Sequence, residues 1–567
     1  MDTMTTGGSF NGNGQNLDGS APPPWPHRLT PLDAAFLYLE RPRQFLHIAA
    51  LLTFDGVLEY ERLITDVQSR LHLIPRYRQR IMSVPFEVDY PTWEPDPTFD
   101  VRAHVRRHLL PAPGSDAELT RLASSIYARP LDRERPLWEM HLIDGYRGNA
   151  ASAPSSSIPE VVHPSFSLQP DAPPRSVLLV KVHHCMADGV GGIDLLRLLL
   201  DPVSRNDEIS GPPEASAPLG PSHIPALPGV VSRFVNGFTD AMSSRLRRQV
   251  ASLAWLAHPA NARRDLRATA DAVAHVTRSF LLEHPPRTPF NGRCGPARAL
   301  GWVTASLPEL RAIKEVLGGS LNDIVLALVS GALRRLLERD GSADRVELRA
   351  LVPVNARTAG ERHSSGNHLS LMIVPLPVGI VDPIERWRQV HAATAQLKAS
   401  NAPEKMERVM TLLGTLPPVA QHLLRWLQDR VTPINTICTN VPGPPVPLYL
   451  QGVRLERVLP FVPLVEGLGV AFAVVSYTDT LSIGITADPE LVPEPHAVED
   501  ALRASIDDLV HATAPLRWNA AHIPHGEGLR HAGTIRGARS PWMALEIRRT
   551  PQADPWASSA ANGFPTG

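Results

Sequence analysis

The sequence predicts an α/β protein with two sizeable globular parts, and three observations predict it. At 567 residues the chain is longer than one ordinary core supports. Segments with strand character alternate with segments of helical spacing, as in layered α/β folds. Pro/Ser-rich stretches and a long helical connection separate the strand-bearing regions. The apolar fraction of 43% and the charged fraction of 20% are those of a chain that folds around large cores.

The elements follow in order. Residues 1–27 are rich in Gly, Asn, Ser and Pro and lack a basic start and an apolar stretch, so they read as a disordered tail and not as a secretory signal. Leu32–Leu39 reads as a short helix, Leu46–Phe54 as a buried strand ended by Asp55-Gly56, and Leu58–Leu73 as a helix. Val101–Leu110 mixes basic and apolar residues, and Ala117–Ala128 has helical spacing. Pro136–Asp144 alternates like a strand; residues 146–175, dominated by Ser, Pro and Ala, read as a flexible insertion. Ser176–His184 is a strand by its β-branched content, and Gly191–Leu200 opens a helix with Ile193, Leu196 and Leu200 on one side.

Residues 201–298 read as a Pro/Ser-rich linker followed by a helical connection. Over Arg233–Phe280 the apolar residues Phe234, Phe238, Met242, Leu246, Val250 and Leu253 recur at helical spacing, with Arg263, Arg264 and Arg267 among the basic positions. A second globular part spans 299–515. It holds a helix at Asn322–Glu338, strands near Val346–Val354 and Leu369–Val378, a helix at Ile384–Ser400, and a strand pair at Leu468–Ser476 and Thr480–Ala487. Residues 516–567 read as a loosely ordered tail.

Charge and cysteine usage narrow the function classes. With 56 basic against 57 acidic residues the net charge is −1, which favours neither nucleic acid nor a general attraction to anionic membranes. Three widely separated cysteines, Cys185, Cys294 and Cys438, form neither a disulfide framework nor a zinc spacing, which suits a reducing cytoplasm. No stretch reaches the roughly 20 apolar residues of a membrane-spanning helix. The arginine-bearing helical connection offers the alternative of peripheral contact with an anionic lipid surface.

The chemistry concentrates in His183-His184-Cys185-Met186-Ala187-Asp188-Gly189. Adjacent residues at a strand end point to opposite faces, so the two histidines neither share a metal nor relay a proton. One belongs to the scaffold, read as His183, and the other, His184, faces a cleft. An exposed imidazole with a pKa near 6.5 takes a proton from an alcohol at neutral pH. The same geometry argues against Cys185 as a nucleophile activated by His184. Asp188 is read as structuring the loop, by pairing with an arginine or capping the next helix, and Gly189 as permitting its turn.

These residues resemble the HHxxxDG motif of acyltransferases related to chloramphenicol acetyltransferase and the condensation domains. Further segments, in order, are Pro31-Leu32-Asp33 with Phe36, Pro75–Arg80, Pro130-Leu131-Asp132, Pro136-Leu137-Trp138, Asn322-Asp323, Gly366-Asn367 and Asn440-Val441-Pro442-Gly443-Pro444. Together they resemble the bacterial wax ester synthase/diacylglycerol acyltransferase family over about Leu29–Thr513. The resemblance implies two α/β halves of chloramphenicol-acetyltransferase type, each with a mixed sheet, meeting at a tunnel: an N-terminal domain at 28–200 and a C-terminal one at 299–515.

It further implies that His184 is the general base that activates a long-chain alcohol or the hydroxyl of diacylglycerol. The alkoxide then attacks the thioester of acyl-CoA, with no metal or prosthetic group. Substrate contacts are expected at Trp138, Asn322 and Asn440, against the plainer readings of strand packing, helix capping and a rigid turn. The insertion 146–175, and Thr439 where the family often has Ser, depart from the pattern. The alternatives are an acyltransferase of the same superfamily that uses carrier-bound or polyketide substrates, and a non-catalytic lipid-binding protein. The intact His184, Asp188 and Gly189 disfavour the second.

Overall fold

Aliphatic and β-branched runs pair into sheets because only pairing satisfies their buried backbone groups. The computed structural model describes residues 27–87, 89–148, 173–186, 196, 199–202, 259–279, 283, 285–339, 341–343, 347–355, 369–414 and 433–521. The N-terminal tail, the centre of the insertion, most of the helix expected at 191–200, the connection up to residue 258 and Gly366-Asn367 lie outside the described residues. Met1–Trp518 is one compact unit; the unit Asn519–Gly567 is described only where the last helix runs to Ala521.

The strands are β1 (His27–Arg28), β2 (His47–Phe54), β3 (Gln79–Met82), β4 (Thr92–Pro95), β5 (Val105–Leu109), β6 (Trp138–Tyr146), β7 (Arg175–His183) and β8 (Ala299–Ser306). They continue with β9 (Leu348–Asn355), β10 (Leu369–Leu376), β11 (Thr436–Pro442), β12 (Tyr449–Leu450), β13 (Val453–Phe461), β14 (Val470–Tyr477) and β15 (Thr480–Ala487). They form two six-stranded sheets, β12-β13-β2-β7-β6-β5 and β10-β9-β11-β14-β15-β8, and a small sheet β1-β4-β3. Both large sheets are mixed. β5 runs parallel to β6, and β11 parallel to β9 and β14, while the other neighbours are antiparallel. This is the predicted α/β class with two mixed sheets.

Local signals set the helices. α1 (Pro31–Leu39) starts with Pro31 after Thr30, whose side chain accepts from the Asp33 amide. α2 is Tyr60–Arg70, and α3 (Val101–His104) is a single turn that runs straight into β5. α4 (Asp116–Tyr127) carries a capping box between Ser115 and Glu118. α5 (Pro259–Thr277) is the described end of the helical connection, and α6 (Leu307–Leu317) precedes α7 (Leu321–Glu338). α7 is buried nearly all round, as a core helix must be, and opens with a capping box of Ser320 and Asp323. α8 (Pro383–Ala399), α9 (Ala402–Gly414) and α10 (Pro495–Ala521) complete the set. Among the described residues no single helix is long and apolar enough to cross a membrane.

The C-terminal part, drawn from sequence as 299–515, does not keep its strands to itself. β13 leaves it and pairs with β2 of the first sheet, Leu455 opposite Phe54 and Phe461 opposite Ala49. Period-2 patterning reports which side chains are buried but not which sheet a strand joins. A β-carbon at Gly484 would stand 1.6 Å from the Pro460 carbonyl oxygen, so only glycine lets β15 pass this close to β13. Leu119 and Tyr127 of α4, Leu300 of β8, and Leu459 and Phe461 of β13 share one core cluster between the sheets. The Leu300 amide also donates to the Ser124 hydroxyl at 3.0 Å.

Candidate active site

The site grows from the end of β7. Lys181 and His183 project to the same face of this strand, and both are buried. The Lys181 ammonium donates to the carbonyls of Ile126, at 3.1 Å, and Arg129, at the C-terminal end of α4. His47 Nε2 lies 2.6 Å from the Tyr127 carbonyl. Two buried donors thus cap the negative end of α4 and tie it to β2 and β7. Burial, with Glu139 opposing it from 3.9 Å, brings the Lys181 pKa down to about 8.

His183 is the last strand residue and is 2% exposed. Its Nδ1 accepts from the Cys185 amide at 3.1 Å, which leaves the proton on Nε2, 3.3 Å from Glu40 Oε1. His183 is thus enclosed between the loop that follows it and the residue after α1. Burial pushes the Cys185 thiol well above its usual range, and its Sγ lies 3.0 Å from Nδ1 of His183, so it is no thiolate nucleophile.

His184 leaves the strand. Its amide donates to the Leu46 carbonyl at 2.8 Å and it opens a 3-10 turn, His184–Met186. A turn, more than pleat alternation, therefore separates the two rings. The His184 ring stacks on Phe36 of α1 with centroids 3.9 Å apart and planes at 16°. The residue is partly exposed, not open to solvent as the sequence reading had it. Its pKa is lowered to about 4 by burial, against a raising influence from its own backbone carbonyl and with a smaller lowering contribution from His183. Nδ1 is buried with no partner of good geometry among the described residues. Burial thus favours the neutral imidazole of His184 at physiological pH.

Sequence reasoning missed Glu40, the residue after α1. Its carboxylate accepts from the Leu46 amide at 3.1 Å and from the Arg133 guanidinium, and faces His183 Nε2. Burial alone would raise its pKa; the contacts of His183 and Arg133 outweigh this and hold it near about 2. An acidic residue between a helix and Arg-Pro-Arg reads on its own as an ordinary cap, so the sequence carried no signal for this role.

The other expected site residues lie in different surroundings. Trp138 is completely buried, stacks on His104 at 4.5 Å and donates from Nε1 to the Tyr77 carbonyl at 2.8 Å. Its ring packs in the core and also lines a pocket of about 300 Å³ with Arg106 and Arg135. In Asn322-Asp323 the second residue is the buried cap. Asp323 accepts from Ser320 N at 2.8 Å and Thr394 Oγ1 at 2.8 Å and meets His391 Nδ1 at 3.0 Å; Asn322 is partly exposed beside it. Asn440 is partly exposed on β11, opposite Val474 of β14. Three residues on, a β-carbon at Gly443 would meet the Ser476 carbonyl oxygen at 2.1 Å, so the turn sits backbone against backbone. Among the described residues no hydrogen bond or ring contact joins His184 to Trp138, Asn322 or Asn440. Asp188 and Gly189 lie outside the described residues.

The chain is similar to known proteins over most of its length. Residues 29–152 and 173–325 match the wax ester synthase/diacylglycerol acyltransferase catalytic domain, and 365–510 match the C-terminal domain of the same family. The skipped segment falls inside the predicted insertion. A Mycobacterium tuberculosis H37Rv protein, provisionally named a diacylglycerol O-acyltransferase, is 30% identical over 496 residues, covering 86% of this chain and 90% of its own. A second protein of that strain with the same provisional name is 30% identical over 490 residues, covering 84% and 95%. The wax ester synthase/diacylglycerol acyltransferase of Marinobacter aquaeolei VT8 has a similar fold, with a TM-score of 0.57 at 24% identity over 86% of this chain and 99% of that one. The first condensation domain of the calcium-dependent antibiotic synthetase shares it too, with a TM-score of 0.53 at 16% identity over 87% and 97%.

Proposed function

Because the chain belongs to the wax ester synthase/diacylglycerol acyltransferase family, we propose that it transfers a long-chain acyl group from acyl-CoA to the hydroxyl of diacylglycerol or of a long-chain alcohol, with His184 as general base. The observation that carries the assignment of the base is the His184 ring itself. It stands at the end of a rigid strand, stacked on Phe36, and is held uncharged by burial, so a lone pair is available throughout the neutral range. With Nδ1 turned into the protein, Nε2 is the nitrogen that meets substrate.

The acceptor O–H gives its proton to Nε2, and its oxygen attacks the thioester carbonyl carbon. The tetrahedral oxyanion collapses, the C–S bond breaks, and the Nε2 proton passes to the departing CoA thiolate. Ester and free CoA are the products, and the balance closes without a metal, a prosthetic group or an acyl-enzyme. Asp188 and Gly189 shape the loop after His184 in this proposal, and Asn322 and Asn440 stand as candidate contacts for substrate.

We place the enzyme in the cytoplasm, reaching its lipid acceptor at a membrane or lipid inclusion. Support comes from α5, where Arg263, Arg264 and Arg267 are exposed beside an exposed Leu266.

The test is labelled palmitoyl-CoA with dioleoylglycerol or hexadecanol, comparing wild type with His184→Ala. Labelled ester from wild type alone is the expected result. Equal product from both proteins overturns the choice of base, and absence of product from wild type overturns the function.

A further inference from the structure

We infer that Glu40 is a positioning residue for the transfer reaction, acting on His184 through His183 and through α1; the inference rests on the function proposed above. Its side chain is 12% exposed, and its oxygens reach three separate elements. One contact is the Leu46 amide at 3.1 Å, another His183 Nε2 at 3.3 Å, and the third the Arg133 guanidinium. A solvated cap would need none of them.

The first route runs through the tautomer of His183. The Cys185 amide, donating to Nδ1 at 3.1 Å, leaves the proton to Nε2, and a Glu40 oxygen 3.3 Å from Nε2, close but outside hydrogen-bond geometry, favours it there. That amide belongs to the turn His184–Met186. With the proton on Nδ1 instead, two N–H groups would face each other and the turn would shift. Leu46 adds a second tie to the same turn, since it donates to Glu40 and its carbonyl accepts the His184 amide at 2.8 Å.

The second route runs through α1. Glu40 is the C-cap residue of this helix, and Phe36, one turn earlier, is the ring against which His184 stacks. Fastening Glu40 to β7 and Arg133 therefore fixes the Phe36 face as well. The mechanism needs the His184 ring in one orientation, and displacements on the order of 1 Å in catalytic groups cost about 10²-fold.

The role asks for an acceptor and not for a charge, and this makes it separable from the ion pair with Arg133. Glu40→Gln keeps an oxygen for Leu46 and His183 but loses the charge; Glu40→Ala loses both. The experiment measures kcat and KM for palmitoyl-CoA on wild type and both variants, with the folded fraction of each determined by circular dichroism. For Glu40→Ala we expect kcat per folded molecule to fall about 10–100-fold with KM for palmitoyl-CoA within about twofold. Glu40→Gln is expected within about threefold of wild type in kcat.

If kcat of folded Glu40→Ala equals that of wild type, or if Glu40→Gln is as impaired as Glu40→Ala, the inference is overturned. Should Glu40→Ala not fold, the Gln variant alone decides, because loss of kcat in a folded Glu40→Gln contradicts the acceptor role. An inactive wild type would instead sink the function, so the two failures are distinguishable.

Discussion

The two large sheets are built from the same mixture of strands but bury different chemistry. The strands of the first sheet enclose His47, His141, Asp144, Lys181 and His183, all titratable. Among the described residues, the strands of the second sheet bury Thr436, Ser482 and Thr486 and the weak acids Cys438 and Tyr477, which burial pushes further toward their neutral forms. Its core is mainly aliphatic, with Phe290, Phe472 and Trp387 among the Leu, Ile and Val side chains and the almost wholly buried α7 packed in it. Burying an ionisable group without a partner costs several kcal/mol, so a chain keeps such groups where each has one. In the first sheet those partners are helix-end carbonyls for His47 and Lys181, Glu40 beside His183, Glu139 and His108 for His141, and Arg107 and Ser176 for Asp144. The contrast separates a sheet that holds the proposed reactive strand end from one whose buried strand residues are mainly apolar, although β13 of the C-terminal part joins the first sheet beside β2.

The largest effect that would break this division belongs to His184. Its replacement by Ala is expected to lower the rate of ester formation about 10²–10⁴-fold with little change in melting temperature. Within the wild type, kcat/KM is expected to stay level from pH 7 down to 5 and to fall only as pH approaches about 4, where the ring takes up a proton. An acid limb centred near 6.5 would show that burial does not hold the ring neutral. The second sheet predicts the opposite behaviour for Ile483, which is completely buried in its core. Ile483→Ala is expected to cost about 2–5 kcal/mol in urea unfolding while kcat per folded molecule stays at the wild-type value. A loss of kcat larger than the loss of folded protein would mean that the second sheet carries chemistry too.

How much of this was legible in the sequence follows from which physical signals are local. Capping residues and periodicity place α1, α4, α7 and α8 within a residue or two, because Thr30, Ser115, Ser320 and Asp382 cap neighbouring amides. The strands β2, β7, β14 and β15 show themselves by their aliphatic and β-branched runs. Partnership across the chain leaves no such mark. Nothing local says that β13 joins β2, or that Glu40 faces His183 from 143 positions away, read as 183 − 40. The same holds for environment. The motif pointed to His184, but its lowered pKa comes from burial and, to a smaller extent, from His183, and its stacking on Phe36 likewise appears only in the fold. The burial of Trp138 was not legible for a related reason, since a large ring in a short motif looks alike whether it lines a site or fills a core.

The smallest expected effect sharpens the comparison through Lys181. Its folded-state pKa, about 8, lies below the ordinary 10.5, so the folded protein disfavours the charged form. At pH 7 both folded and unfolded chains carry the proton, and the cost of burying the cation is fully present. As pH rises through about 8 the folded protein sheds this proton while the unfolded chain keeps it to about 10.5, and stability is regained across that window. Lys181→Met fills similar volume but leaves the carbonyls of Ile126 and Arg129 without their donor. At pH 7 the loss of those bonds is expected to cost about 1–3 kcal/mol, offset in part by the removed cation. Denaturant unfolding of both proteins at pH 7 and pH 9.5 reads the linkage directly, with wild type expected to gain on the variant at the higher pH. Ile483→Ala, measured alongside, should keep a constant deficit, because an aliphatic core has no proton to exchange. Equal pH dependence in wild type and Lys181→Met would mean that the ammonium is not held against its own desolvation, and the first sheet would then differ from the second in composition alone.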